Sequence, residues 1–263
     1  MLSNIIAIYR KELQSYFASP FAYTIAGIFW LLTGYFLVAI LLGEQGIIQQ
    51  VAVRDQMGIT DPPIDAPYQF LQIYLGILGS MSLFVLPMLS MGLYTEERKR
   101  GTLELLATSP LTNWGVATGK LLGVLTFYIT LVMPIMGLEA IAVSNTNPPV
   151  APIILLLGHG GLILLAASIL SLGMFISSLT DSTILSAIFT FSIVLFLWVI
   201  DVVASNIGGS FGEALSHLSL LTNYSNLTKG VVDTSSIIVF GSYIILGVFL
   251  TAQSIDALRF QRS

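Results

Sequence analysis

The sequence contains no cysteine and few charged residues, and both shortages exclude classes of protein. Without cysteine the chain has neither a disulfide framework nor a thiolate metal site. Charged residues make up 9% of the chain, whereas a soluble domain carries about 25%. This number of charges is too small to cover a water-facing surface. Lipid must therefore be the solvent for most of the chain. The formal net charge of −4 gives no reason to expect a nucleic acid as partner.

The sequence also lacks the motifs of an enzyme. Residues 115–121 come near a phosphate-binding loop, but the spacing is one residue short and Leu121 stands where a hydroxyl must meet magnesium. His159 lies among glycines in an apolar stretch, without the serine setting that an intramembrane protease needs. His159 and His217 also lack neighbouring carboxylates, so they make a poor metal site. We expect no catalytic residue, cofactor or metal on this chain.

Six long apolar stretches, marked out by the gaps between charged residues, dominate the sequence. Each holds at least about 20 residues, enough for a helix to cross a hydrocarbon core of about 30 Å. No alternating pattern suggests a membrane barrel, and backbone groups in lipid must be satisfied within each segment. We therefore predict an all-α polytopic membrane protein, one transmembrane domain over residues 1–263, with six transmembrane helices at about 21–43, 68–94, 115–141, 152–177, 183–203 and 235–256.

The basic residues predict the orientation of these helices. With six spans both termini lie on one side of the membrane, and that side carries most of the lysines and arginines. Only Arg54 and Lys229 lie on the other side. Both termini should therefore be cytoplasmic, in an inner or plasma membrane. The basic residues on the predicted cytoplasmic side are Arg10, Lys11, Arg98, Lys99, Arg100, Lys120, Arg259 and Arg262.

Three segments outside the spans have patterns of their own. Residues 3–18 carry apolar residues at helical spacing, which predicts an N-terminal helix in the inner interface; a solvated lead-in is the alternative. Residues 204–232, on the outer side, predict an amphipathic or re-entrant helix. Residues 94–114 form the largest predicted cytoplasmic loop and the densest cluster of charges. The outer segment repeats apolar residues at Phe211, Leu215, Leu218 and Leu221.

Two acids, Glu139 and Asp201, lie closest to membrane depth. An ionisable residue inside a membrane is a functional candidate by default. Both residues, however, lie near the predicted outer ends of their helices. Solvation at the outer interface is the favoured interpretation, and a role in a translocation path is the alternative.

The loop at 96–112, Glu-Glu-Arg-Lys-Arg-Gly-Thr-Leu-Glu-Leu-Leu-Ala-Thr-Ser-Pro-Leu-Thr, resembles the cytoplasmic loop of type-2 ABC-transporter permeases. In that family an acidic pair, a basic cluster and Gly-Thr-Leu-Glu follow the second span. Residues 11–20, 119–120, 173–180 and 229–233 also resemble family segments. The similarity extends over nearly the whole chain and is closest to the gliding-motility and nitrous-oxide-reductase-maturation permeases.

The resemblance implies a coupling helix within residues 96–108 that docks on a separate ATPase. A charge cluster that only sets the membrane topology is the alternative. The implied contact residues are Glu96, Glu97, Arg98, Lys99, Arg100, Gly101, Thr102, Leu103, Glu104 and Leu106.

The function that we expect from the resemblance is that of an exporter-type permease. It would act with a second permease subunit, identical or related, and with cytoplasmic ABC ATPase subunits that bind ATP and magnesium. Membrane lipid would surround the spans. A membrane scaffold or assembly subunit with the same fold is the alternative, and an intramembrane protease is a distant third.

Overall fold

The protein forms a bundle of helices. The structure, a computed structural model, describes residues 2–58, 65–103, 111–144, 146, 149–207 and 209–260, without the side chains of 201, 202, 205, 210, 211, 213, 214 and 258–260. The helices in these ranges are α1 Leu2–Phe17, α2 Pro20–Leu42, α3 Ile47–Gln56, α4 Ala66–Ser90, α5 Thr95–Lys99, α6 Asn113–Val143, α7 Pro152–Leu179, α8 Thr183–Ile207, α9 Gly209–His217, α10 Leu220–Thr228 and α11 Thr234–Phe260.

Six of the helices, α2, α4, α6, α7, α8 and α11, are long and apolar enough to cross a membrane. Their bounds lie within a few residues of those predicted from the gaps between charges. The described residues contain no strand. The prediction of an all-α protein with six membrane-spanning helices is therefore confirmed.

Several spans begin where the sequence offers a capping side chain. The Ser19 hydroxyl accepts a hydrogen bond from the backbone N–H of Ala22, and Pro20 follows at the first helical position. The Asp65 carboxylate caps α4, and the Thr112 hydroxyl caps α6 in the same way. Each cap satisfies a backbone donor that the first turn of a helix leaves unpaired.

Helix α7 is the most buried of the six spans, and α2 is the least buried. Helix α7 packs against α4, α6, α8, α10 and α11. The hydroxyls of Ser168 and Ser171 donate hydrogen bonds to the carbonyls of Phe240 and Tyr243 on α11, each over 3.2 Å. Small residues and hydroxyls let helices approach closely where lipid supplies no hydrophobic drive for association.

Helix α1 packs along the first half of α6. Gly119 and Gly123 of α6 make this close approach possible. A Cβ atom at Gly119 would lie 2.9 Å from Ile8, and one at Gly123 would lie 2.7 Å from the Cβ atom of Glu12. The predicted N-terminal helix is present; its position in the membrane interface stays a prediction.

The segment 204–232 differs from the prediction of one short helix. It contains two, α9 and α10, because the chain turns at Leu218 and the Ser219 hydroxyl caps α10. Tyr224 of α10 then inserts between α4 and α7, where Gly79 and Gly161 leave space for its ring. The side chains of Phe211 and Glu213 lie outside the described residues.

Helix α3 was not predicted. It follows α2 at the end of the bundle that also carries α9 and α10, termed here the opposite end. The other end carries α1, α5 and the start of α6, and is termed the charged end.

Candidate functional site

Residues 94–103, termed here the α5 segment, follow α4 at the charged end of the bundle. Ser177 of α7 fixes the start of this segment. Its hydroxyl oxygen accepts hydrogen bonds from the backbone N–H groups of Tyr94 and Thr95, over 2.9 and 3.2 Å. The same hydroxyl donates to the carbonyl of Met91 over 3.0 Å. One buried hydroxyl therefore joins the chain before and within α5 to the central helix of the bundle.

A buried cluster of ions joins the same segment to α1 and α6. Lys120 of α6 is 2% exposed, and its ammonium group makes ion pairs with the carboxylates of Glu12 and Glu97. The distance from Lys120 Nζ to Glu97 Oε1 is 3.1 Å. Lys120 Nζ also donates to the carbonyl of Leu93 over 2.8 Å and lies 5.0 Å from the centre of the Tyr94 ring. Three segments of the chain thus meet at one ammonium group.

Lys11 completes the cluster with a second cation. Its ammonium group donates to Glu97 Oε1 over 2.8 Å. Burial lowers the pKa of Lys11, but the hydrogen bond and the charge of Glu97 outweigh this effect and hold the pKa above its ordinary value. Two lysines therefore balance two glutamates. The side chain of Lys11 is largely exposed, whereas those of Glu12, Glu97 and Lys120 are buried. Loss of a partner is costly for these three, because it leaves an uncompensated charge away from water.

Arg98 and Lys99 attach the segment to the junction of α7 and α8. Arg98 forms an ion pair with Asp181, with Nε and Oδ1 2.6 Å apart, and donates to the carbonyl of Ser178 over 2.9 Å. Lys99 Nζ lies 3.3 Å from the hydroxyl of Thr183. Arg98 and Lys99 thus have partners at the end of α7, in the α7–α8 junction and at the start of α8.

Helix α5 ends in a tight glycine turn. Gly101 has a φ of +68°, a conformation that glycine adopts without strain. The N–H of Gly101 donates to the carbonyl of Arg98, and the N–H of Thr102 donates to that of Glu97. This pair of bonds is the Schellman arrangement, which satisfies carbonyls that a helix end leaves free.

The outward face of the α5 segment is exposed. The side chains of Glu96 and Arg100 are 58% and 75% exposed, and they form a loose pair at 3.7 Å. Gly101 and Thr102 are exposed beside them. A cleft of about 430 Å³ opens between this face and α1, lined by residues that include Lys11, Glu12, Ser15, Glu96 and Arg100. The segment therefore has a fixed inner side and a polar outer side.

The predicted contact residues divide between these two sides. Eight of the ten, residues 96–103, lie in the α5 segment. Glu97 and Leu103 are buried, and Arg98 is half-buried, so these three face the rest of the chain. Glu104 and Leu106 lie outside the described residues. No partner chain is present, so contact with an ATPase stays a prediction.

Glu139 lies far from this segment, near the opposite end of the bundle. The predicted solvation of its carboxylate was wrong, because the side chain is completely buried. Its Oε1 atom lies 3.7 Å from Nε2 of His159 on α7. The expectation that His159 has no neighbouring carboxylate was therefore also wrong. The side chain of Asp201 lies outside the described residues.

Sequence reasoning treated several of the anchoring residues only as markers of topology or similarity. Lys11 and Lys120 were counted among the basic residues of one membrane side, and Ser177 received no role. Lys120 gave a usable signal, since it lies within the first turns of a long apolar helix and an ionisable residue there requires a partner. Ser177 gave none, because serines are common in such helices.

A comparison with family models gives one match. The model described as "ABC-2 family transporter protein" matches residues 47–253, a range that contains four of the six spans completely, most of α11 and the whole α5 segment. No match was found among curated proteins. Since the matched range covers most of a chain that also has the expected set of membrane-spanning helices, the chain belongs to the ABC-2 transporter family and is a membrane permease component.

Proposed function

We propose that this chain is the permease subunit of an ATP-driven exporter, and that the α5 segment receives the ATPase. Two permease subunits, identical or related, would act with two ATPase subunits that bind ATP and magnesium. The chain itself would bind no cofactor and hydrolyse nothing. Its contribution would be the path through the membrane and the connection between that path and the ATPase.

The observation that carries this proposal is the two-sided character of the α5 segment. Its inward side chains are held by α1, α6, α7 and α8 through the Lys120 cluster, Ser177 and Asp181. Its outward side chains, Glu96 and Arg100, have only each other as an ion-pair partner among the described residues. A surface that is exposed yet rigidly attached suits a docking site that must transmit force.

The same attachments suggest how movement would reach the spans. Closure of two ATPase subunits on ATP would displace whatever is docked on them, as in other rigid-body transitions. Displacement of α5 would act on α6 through Lys120 and on α7 through Ser177. These two helices are neighbours in the centre of the bundle. The movement would then reach the central helices of the permease rather than its peripheral ones.

We infer that the charged end faces the cytoplasm of a cell membrane. Arg10, Lys11, Arg100 and Lys120 lie at this end, and lysine and arginine are enriched on the cytoplasmic side of membrane proteins. The ATPase would be present on that side. A docking site for the ATPase at the charged end therefore requires this orientation. Separate experiments can test the orientation and the docking site.

A charge exchange on the exposed face tests the docking site. We would express a tagged chain in its native membrane and identify the co-purifying ABC ATPase by mass spectrometry. The double variant Glu96→Lys, Arg100→Glu reverses both outward charges and keeps the net charge. Co-purified ATPase should fall about tenfold or more, as expected when an interface anchor worth about 2 kcal/mol is lost.

The matched control is the exchange Glu44→Lys, Lys229→Glu, which reverses two exposed charges at the opposite end. The control chain should still co-purify with the ATPase. If the Glu96 and Arg100 exchange retains both the ATPase and permease-dependent hydrolysis, the α5 segment is not the docking site. An ATPase that binds wild-type chain without any change in hydrolysis would instead favour the scaffold alternative.

A further inference from the structure

Two ionisable side chains face each other inside the spans near the opposite end of the bundle. Glu139 of α6 is completely buried, and His159 of α7 is 3% exposed. Glu139 Oε1 and His159 Nε2 are 3.7 Å apart. Neither of these atoms, nor Glu139 Oε2, has a hydrogen-bond partner among the described residues. Buried polar atoms without partners are rare and indicate a missing ligand or a functional role.

Among the residues that the structure describes, the surroundings of the pair supply no compensating charge. The titratable groups that face it are Tyr74 of α4 and Tyr224 of α10. Both hydroxyls donate elsewhere, Tyr74 to the carbonyl of Thr33 and Tyr224 to that of Leu75. In the described parts of the other helices packed around α6 and α7, no charged side chain forms an ion pair with Glu139.

The hydrogen bond of the His159 ring limits the number of protons that the ring and Glu139 can share. His159 Nδ1 lies 3.1 Å from the carbonyl oxygen of Leu155. A carbonyl oxygen only accepts, so Nδ1 carries a hydrogen and donates it. The nitrogen that faces Glu139 is therefore the one whose protonation is still open. Glu139 and Nε2 can hold one proton between them.

A pair without that proton would be unstable in this position. A bare carboxylate would face an imidazole lone pair in the apolar interior, and burial of an unpaired charge is very unfavourable. With one proton the pair is neutral overall, either as carboxylic acid with imidazole or as carboxylate with imidazolium. We propose that Glu139 and His159 together form an intramembrane binding site for a single proton.

The site depends on the packing of two spans. Helix α6 supplies the carboxyl group and helix α7 supplies the imidazole, so the proton is shared only while these helices remain adjacent. Separation of α6 and α7 would expose the carboxyl group and release the proton. This inference does not require the α5 segment to bind an ATPase, because it follows from the geometry of the pair alone.

The composition of the chain makes a direct test possible. The sequence has only two histidines, so the variant His217→Gln leaves His159 as the one imidazole. We would label this full-length chain with ¹⁵N-histidine, place it in lipid nanodiscs at neutral pH, and assign both ring nitrogens by NMR. Infrared spectroscopy on the same sample reports whether a buried carboxylic acid is present, and a Glu139→Gln sample identifies the band.

The proposal expects one proton in addition to the one on Nδ1. In the first acceptable result, infrared spectroscopy shows a carboxylic acid band that disappears in Glu139→Gln, and NMR shows a neutral ring with its hydrogen on Nδ1. In the second, the acid band is absent and NMR shows an imidazolium. In Glu139→Gln the ring should be neutral, since the amide can donate to Nε2. A carboxylate beside a neutral ring, an acid beside an imidazolium, or a bare Nδ1 would each overturn the proposal.

Discussion

Lys120 and Glu97, which come from different segments of the chain, form an ion pair of 3.1 Å beneath the exposed face of α5. Both side chains are buried. The pair connects the segment that we propose as a docking site to a membrane-spanning helix. Because Lys120 also contacts Glu12, the same ammonium group joins α1 to α6 and to the α5 segment. The charges at this end of the bundle therefore have a structural role in addition to any role in topology.

Removal of Lys120 should destabilise the folded protein more than removal of an exposed cation. Lys120→Met leaves Glu12 and Glu97 without their shared partner, and breaking a buried ion pair typically costs about 3–5 kcal/mol. Arg100→Met removes one side of an exposed pair, which contributes about 0–1 kcal/mol. Thermal unfolding in detergent compares the two. Equal melting temperatures for both variants would contradict the proposed importance of the cluster.

Ser177 should influence hydrolysis by the complex without abolishing assembly. Ser177→Ala leaves the N–H groups of Tyr94 and Thr95 without their acceptor, a loss of about 1–3 kcal/mol for each buried group that stays unpaired. Ser178→Ala is the matched control, because among the described residues the Ser178 hydroxyl bonds only to the carbonyl of Phe175 in its own helix.

We expect the Ser177→Ala chain to retain the ATPase and to lose several-fold in permease-dependent ATP hydrolysis. The Ser178→Ala chain should behave like wild type in the same assay. Indistinguishable hydrolysis in the two variants would show that the hydrogen bonds of Ser177 do not contribute to coupling.

Gly79 should be needed for the seating of α10. A Cβ atom at this position would overlap the ring of Tyr224, whose hydroxyl is held by the carbonyl of Leu75. Gly79→Ala should therefore cost about 1–3 kcal/mol, the usual range for overpacking. In Gly76→Ala, less than one helical turn earlier, the new Cβ atom meets no described atom within 4 Å, so this variant should not destabilise the protein. Thermal unfolding compares the stability of the two variants. Equal melting temperatures would contradict the packing of Tyr224 against Gly79.

The sequence was sufficient for the spans because lipid imposes a simple requirement on them. Uninterrupted apolar stretches of helical length, such as the one between Glu12 and Glu44, have few alternatives to crossing the membrane. The division of residues 204–232 into two helices could not be predicted in the same way. Leu218 continues the helical spacing of apolar residues across the turn, so periodicity conceals the end of α9.

The candidate site was predicted as a segment but not in its detail. The loop composition identified residues 94–114, whereas the inward position of Glu97 depends on Lys11 and Lys120, which lie elsewhere in the sequence. Glu139 illustrates the same limit. Its depth along the helix could be counted, but its burial depends on His159 in the next span. Contacts between distant segments leave no local pattern.

The orientation of the chain can be measured by single-cysteine labelling, since the native sequence has no cysteine. Ser3 of α1 and Gln56 of α3 are both exposed and lie at the charged and opposite ends. In intact cells an impermeant maleimide should modify Gln56→Cys and leave Ser3→Cys unmodified until the membrane is opened. The reverse pattern would place the charged end outside and would remove the proposed contact with a cytoplasmic ATPase.

Site-directed crosslinking between the α5 segment and the ATPase tests the central claim most directly. A photoactivatable crosslinker would be attached to a cysteine at Thr102, an exposed residue beside Arg100, and in a control sample to a cysteine at Glu44. We predict that irradiation of native membranes joins the Thr102→Cys chain to an ABC ATPase and that the Glu44→Cys chain gives no such product. Absence of the product from Thr102→Cys, with the ATPase co-purifying normally, would contradict docking at the α5 segment.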